Sequence, residues 1–116
     1  MMESFLDIRW LSAGAGAALG EYLGSFDGLM YALLAFIVTD YVTGLLCAIV
    51  ERNLSSAIGF KGICQKVFIL ALVGVANILD VHVAGGGCVL RLAVIFFYIS
   101  NEGISIIENA ARIGLP

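Results

Sequence analysis

The sequence predicts an all-α integral membrane protein, a single domain over residues 1–116 with three to four transmembrane helices. The last helix is expected to be amphipathic and the protein homo-oligomeric. Three observations point there. Of 116 residues, 61% are hydrophobic and only 13% charged, whereas soluble domains carry about 25% charged residues. Residues 29–50 make an apolar run long enough to cross a bilayer. The final hydrophobic stretch, residues 88–112, carries a polar stripe that runs its whole length.

The first element is expected near residues 5–24. It is rich in Ala and Gly and flanked by Arg9 and Glu21, which makes it the weakest membrane segment. Ser12, Gly16, Gly20 and Gly24 recur every fourth residue, a spacing that sets small residues along one helical face. Such a face lets another backbone approach closely; otherwise the segment lies at the interface as a glycine-rich helix.

The second element, residues 29–50, would cover about 33 Å as a helix. Asp40 sits near its middle, with Thr43, Gly44 and Cys47 following on the same face. A carboxylate there costs about 2.5–3.5 kcal/mol on insertion scales. Asp40 is therefore expected to be protonated, paired or turned to a polar interior, most simply as a contact between helices.

Residues 51–62 read as the one polar connection of any length, with turn and cap residues at Asn53, Ser55, Ser56, Gly59 and Gly62. Arg52, Lys61 and Lys66 cluster there and place it in the cytoplasm by the positive-inside rule. The third element follows near residues 63–83, where Lys66, Asn77 and Asp80 share a face. Asp80 and His82 then precede the Gly85-Gly86-Gly87 turn.

The fourth element, near residues 88–112, sorts its polar residues at about 100° per residue. Arg91, Tyr98, Asn101, Glu102, Ser105, Glu108, Asn109 and Arg112 fall within an arc of roughly 120°. A stripe of that length needs a polar partner throughout: water, another helix, or another copy of the chain. Arg91 sits at the helix end and is expected to snorkel outward. Four spans would put both termini in the cytoplasm. If the first segment only lies on the surface, three spans leave it outside.

Several functions have no support. There is no basic run for nucleic acid, and no phosphate-cradling glycine loop. Cys47, Cys64 and Cys88 lack metal-ligand spacing and read as free thiols. His82 has no partner at a recognisable spacing, so no metal and no cofactor is expected. Ser55 and Ser56 lack a nearby His, so an enzyme is not expected either.

Three runs carry a family likeness: D-Y-V-T-G-L-L-C-A (Asp40–Ala48), L-S-S-A-I-G-F-K-G-I-C-Q-K (Leu54–Lys66) and F-Y-I-S-N-E-G-I-S-I-I-E-N-A-A-R-I-G-L-P (Phe97–Pro116). Together they resemble the toxin-secretion/phage-lysis holin family, which includes holins of tailed phages and holin-like proteins of clostridial toxin loci. The resemblance implies a multi-pass protein of the bacterial cytoplasmic membrane that assembles with itself. Its lesions would release an endolysin or a protein toxin, a functional partner that need not touch it. Members of that family usually continue past the Gly-Leu-Pro that stands here at 114–116, often with a charged tail.

Two other classes compete. A small proton-coupled four-helix transporter could use Asp40 or Glu102 as its switch, but would concentrate polar residues near the midplane. A membrane anchor or inhibitor of a pore-former would bind other chains without permeabilising anything. Expression alone separates that last class, because a holin kills by itself.

Overall fold

The computed structural model describes residues 2–116 and is all-helical. It contains α1 (Met2–Leu23), α2 (Gly28–Val50), α3 (Ser56–His82) and α4 (Val89–Ile113). Each boundary has a local cause. Asp27 caps α2 by accepting from the Met30 N–H at 2.9 Å, and Ser55 caps α3 by accepting from the Ile58 N–H at 3.2 Å. Gly114 ends α4 in the left-handed region at φ 102°. There the Leu115 N–H returns to the Ala110 carbonyl and the Gly114 N–H to that of Ala111, each at 3.0 Å.

α3 starts seven residues earlier than the sequence suggests, leaving a connection of only residues 51–55. Gly59 and Gly62, which look like turn residues, lie inside the helix against the Tyr41 ring. The Tyr41 hydroxyl donates to the Gly59 carbonyl at 3.2 Å. Lys61 is consequently helical, as Lys66 was already expected to be, and of the basic cluster only Arg52 remains on the connection.

Among the described residues, helices α2, α3 and α4 are the three long and apolar enough to cross a membrane. They pack as a bundle in which α4 lies against both others. Leu23, Met30, Leu33, Ile37, Ile69, Val73 and Ile95 form its apolar core. Only 17–28% of each span's most apolar window is buried inside the chain. Large hydrophobic side chains such as Phe68, Phe97 and Ile107 are exposed along the spans, as expected where lipid is the solvent.

α1 is not among those three candidate spans. It packs only its last turns on α3: Asn77 donates to the Glu21 and Tyr22 carbonyls, and the Tyr22 hydroxyl to that of Ala71. Gly74 makes room for the Tyr22 ring, which occupies the place of a Cβ. Residues 7–19 are exposed throughout. The chain measures 47 × 45 × 23 Å, while a 27-residue helix is about 40 Å long. α1 therefore projects sideways from the bundle.

The expected glycine face needs correcting. Gly24 is not helical: its φ of +92° turns the chain out of α1, and a Cβ there would strike Arg91 and Asn77. Gly20 packs on its own Phe26 ring, and Gly16 has nothing within 4 Å of a Cβ position. Within the chain the three make no common packing surface.

Candidate functional site

The polar residues of the three spans meet inside the bundle as a column. Its centre is Lys66 of α3. The Lys66 Nζ donates to Asp40 Oδ2 of α2 at 2.5 Å and to Glu102 of α4 at 2.7 and 2.9 Å. Asp40 and Glu102 are 8% and 5% exposed, so both carboxylates are withdrawn from lipid. One ammonium thus serves two carboxylates. An isolated buried charge would cost several kcal/mol, and pairing is what makes each of these tolerable.

Next along α4, Asn109 is buried against α2. Its Nδ2 donates to Asp40 Oδ1 at 3.1 Å and to Thr43 Oγ1 at 2.9 Å. The Thr43 hydroxyl passes its own proton back to the Thr39 carbonyl, and the Cys47 thiol donates to the Asn109 carbonyl at 3.2 Å. Gly44, between them, lets α4 come close; a Cβ there would sit 3.8 Å from the Asn109 amide nitrogen. The column ends where Arg112 grips Glu51 with two hydrogen bonds of 3.0 and 2.8 Å. That guanidinium holds the Glu51 carboxyl below its ordinary range, although the pair is exposed.

A second polar group closes the opposite end. Arg91 does not snorkel outward; it is 4% exposed and folds inward. It donates to the Leu23 and Ser25 carbonyls and, at 2.9 Å, to Asp27. The chain around Gly24 supplies these acceptors, which is why the arginine needs no water. Arg91 and, secondarily, the Met30 N–H hold the Asp27 carboxyl below its ordinary range. Asp80 accepts from the Leu90 and Arg91 N–H groups at 3.0 and 2.8 Å, capping α4 where its own Cys88 does not.

The residues singled out on α4 therefore divide. Arg91, Glu102 and Asn109 are buried with partners in the same chain; Tyr98 and Ser105 are half-buried; Asn101 and Glu108 are exposed. Among the described residues no buried side-chain nitrogen or oxygen lacks a partner. Asp40, Thr43, Asn77 and Asp80 all join helices or helix ends. Sequence reasoning put Lys66 on the polar face of the third helix and in the basic cluster beside the loop, but missed that it is the hub. The signal was available: one lysine about three turns inside an apolar helix, with a carboxylate mid-helix on each of two others. Asp27 as the partner of Arg91 had no comparable signal.

Among the described residues no group of three His, Cys, Asp or Glu side chains could hold a metal ion. The arrangement contains charges that can be paired internally or hydrated.

The sequence matches the family described as "Bacteriophage holin family" over residues 17–116. It is 46% identical to an uncharacterized protein of Listeria innocua over 114 residues, covering 98% of this chain and 79% of that one. It is 38% identical to an uncharacterized 14.9 kDa protein in the nagH 3' region of Clostridium perfringens, covering 99% and 88%. Against a "Probable holin" of Bacillus phage phi105 it is 37% identical over 83 residues, covering 72% and 61%. No solved structure matches.

Proposed function

This chain belongs to the bacteriophage holin family, a non-enzymatic class of cytoplasmic membrane proteins, and from that premise we propose that copies of it assemble into lesions through which an endolysin or a protein toxin leaves the cell. The single observation that carries this reading is the polar column. A three-span chain gains little from burying five polar or charged residues, Asp40, Asp80, Arg91, Glu102 and Asn109, if its only task is to sit in lipid. Apolar side chains of similar size would pack as well or better.

The column gives the chain two comparable states. In the closed bundle Asp40, Lys66 and Glu102 are paired with one another, but all three have given up most of their hydration. If α4 swings away from α2 and α3 toward a water-filled space, the same groups regain hydration and lose only the pairing. Such a hole needs many copies, because one 12.3 kDa chain cannot surround a folded protein. Accumulation of copies thus sets the moment of opening. While a hole is narrow, its carboxylates favour cations; once proteins pass, that preference disappears.

The test is inducible expression in a bacterium with and without a co-expressed endolysin, following growth and membrane potential. Loss of potential and viability without endolysin, and lysis only with it, is the expected result. Continued growth at full potential would make the chain an anchor or inhibitor. Solute uptake that demands a proton gradient, with no leak, would make it a transporter.

A further inference from the structure

The cleft between α3 and α4 holds two polar side chains that the closed bundle leaves unserved. Gln65 and Asn101 are both exposed, and neither makes a hydrogen bond among the described residues. Both line a cleft of about 320 Å³ together with Lys66, Phe68, Tyr98 and Glu102. Asn101 is the thirteenth residue of the 25 in α4, so it lies at mid-span. Gln65 is the tenth of 27 in α3. In hydrocarbon a free carboxamide has two donors and an acceptor without partners, a costly state.

Resting on the assembly reading above, we propose that this cleft is the contact surface for a second copy of the chain, joined by reciprocal Gln65–Asn101 carboxamide pairs. The register supports that occupant. The Lys66 ammonium and Glu102 carboxylate are hydrogen-bonded, so the two residues sit at about the same level of the bundle. Gln65 and Asn101 each precede them by one residue on antiparallel neighbouring helices, which shifts them only about 1.5 Å each in opposite directions. A two-fold axis along the membrane normal preserves depth. It therefore brings Gln65 of one copy opposite Asn101 of the other, and the converse. A carboxamide both donates and accepts, so each pair can close with two hydrogen bonds. An isologous contact of this kind is self-complementary. It leaves the closed column intact, so copies can associate before any opening.

The experiment is energy transfer between donor- and acceptor-labelled full-length copies in phospholipid vesicles, at rising protein-to-lipid ratio. Hydrogen bonds between membrane helices are individually modest; Gln65→Leu/Asn101→Leu should raise the ratio for half-maximal association about tenfold. Because each single substitution breaks both pairs, Gln65→Leu alone and Asn101→Leu alone should each match the double variant. A mixture of the two single variants restores one pair and should associate better than either alone. The exchange Gln65→Asn/Asn101→Gln keeps every carboxamide and should stay near the parent, which controls for folding. Unchanged association of the double variant, with lipid or water in the cleft, overturns the proposal. So does failure of the mixture to recover. Dye release measured on the same vesicles separates the two readings: association without release sinks the proposed function and spares the contact, while release with association indifferent to both residues does the reverse.

Discussion

Lys66 Nζ stands 2.7 Å from Glu102 Oε2, and this contact ties together α3 and α4, the two helices that must part in the open state proposed above. The same nitrogen holds Asp40 of α2. Removing the ammonium leaves two buried carboxylates facing each other, and breaking a buried pair from one side costs about 3–5 kcal/mol. Lys66→Met should therefore weaken the closed bundle by about 3 kcal/mol. Adding Asp40→Asn and Glu102→Gln, which removes the stranded charges, should recover most of that. Denaturant titration of the purified protein in detergent measures both. Equal stability of parent and Lys66→Met would show that the lysine is not the hub of the bundle.

The opposite end of the bundle should respond to acid. Asp27 has its pKa lowered from an ordinary 3.8, chiefly by Arg91. A group depressed on folding contributes stability that is fully present above its unfolded pKa. That contribution is lost as pH falls through the lower folded value. The loss should thus begin below about pH 4 and grow as the solution is acidified further. Since the Asp27 side chain is 42% exposed, solvent screens the pair and the effect is modest. Asp27→Asn should be less stable than the parent at neutral pH and should flatten this acid limb. An identical limb in the variant would place the sensitivity elsewhere, for example at Glu51, which Arg112 also depresses.

Three candidate spans and a projecting α1 imply a definite sidedness. If α1 lies on the outer surface, Ser4 and the Gly85-Gly86-Gly87 turn share a side, opposite Arg52. Cysteines introduced at Ser4 and Gly86, in a background without Cys64 and Cys88, should then react with an impermeant thiol reagent from the same side of intact cells. Reaction from opposite sides would make α1 a fourth span and bring both termini to the cytoplasm.

Much of this architecture is legible in the sequence because membranes punish polarity so strongly. The run from Leu29 to Val50 needs only its length to be recognised, and α2 occupies Gly28–Val50. The inward side of α4 follows from periodicity, since Arg91, Glu102 and Asn109 recur near one face. What periodicity cannot supply is which neighbour receives each group. Lys61 looks like part of a basic loop because Gly59 and Gly62 resemble turn residues; their purpose, room for Tyr41, exists only once α2 and α3 have met. Arg91 resembles a snorkelling residue until the chain folds back through Gly24 and offers it the Leu23 and Ser25 carbonyls. Both corrections depend on contacts between residues far apart in the chain, which local pattern does not record.

The sharpest separation of storage from opening comes from replacing the centre of the column altogether. Lys66→Met, Asp40→Leu, Glu102→Met and Asn109→Leu together exchange the ion pairs and their amide for apolar side chains of comparable size. Buried ion pairs replaced in this way leave a protein equally stable or stabilised by about 1–4 kcal/mol. Insertion should also improve, since each substitution removes a polar cost in hydrocarbon. The fourfold variant should accordingly fold and accumulate at least as well as the parent. Gln65 and Asn101 are untouched, so copies should still associate. Yet the helices now gain nothing by turning their inner faces to water, and release of both a small dye and a folded protein from vesicles should fall to background. Stability and association retained with release abolished is the pattern expected if the column lines the opening. Undiminished release from equal amounts of protein would mean that the column serves only to hold the bundle together and that the hole is lined by other residues.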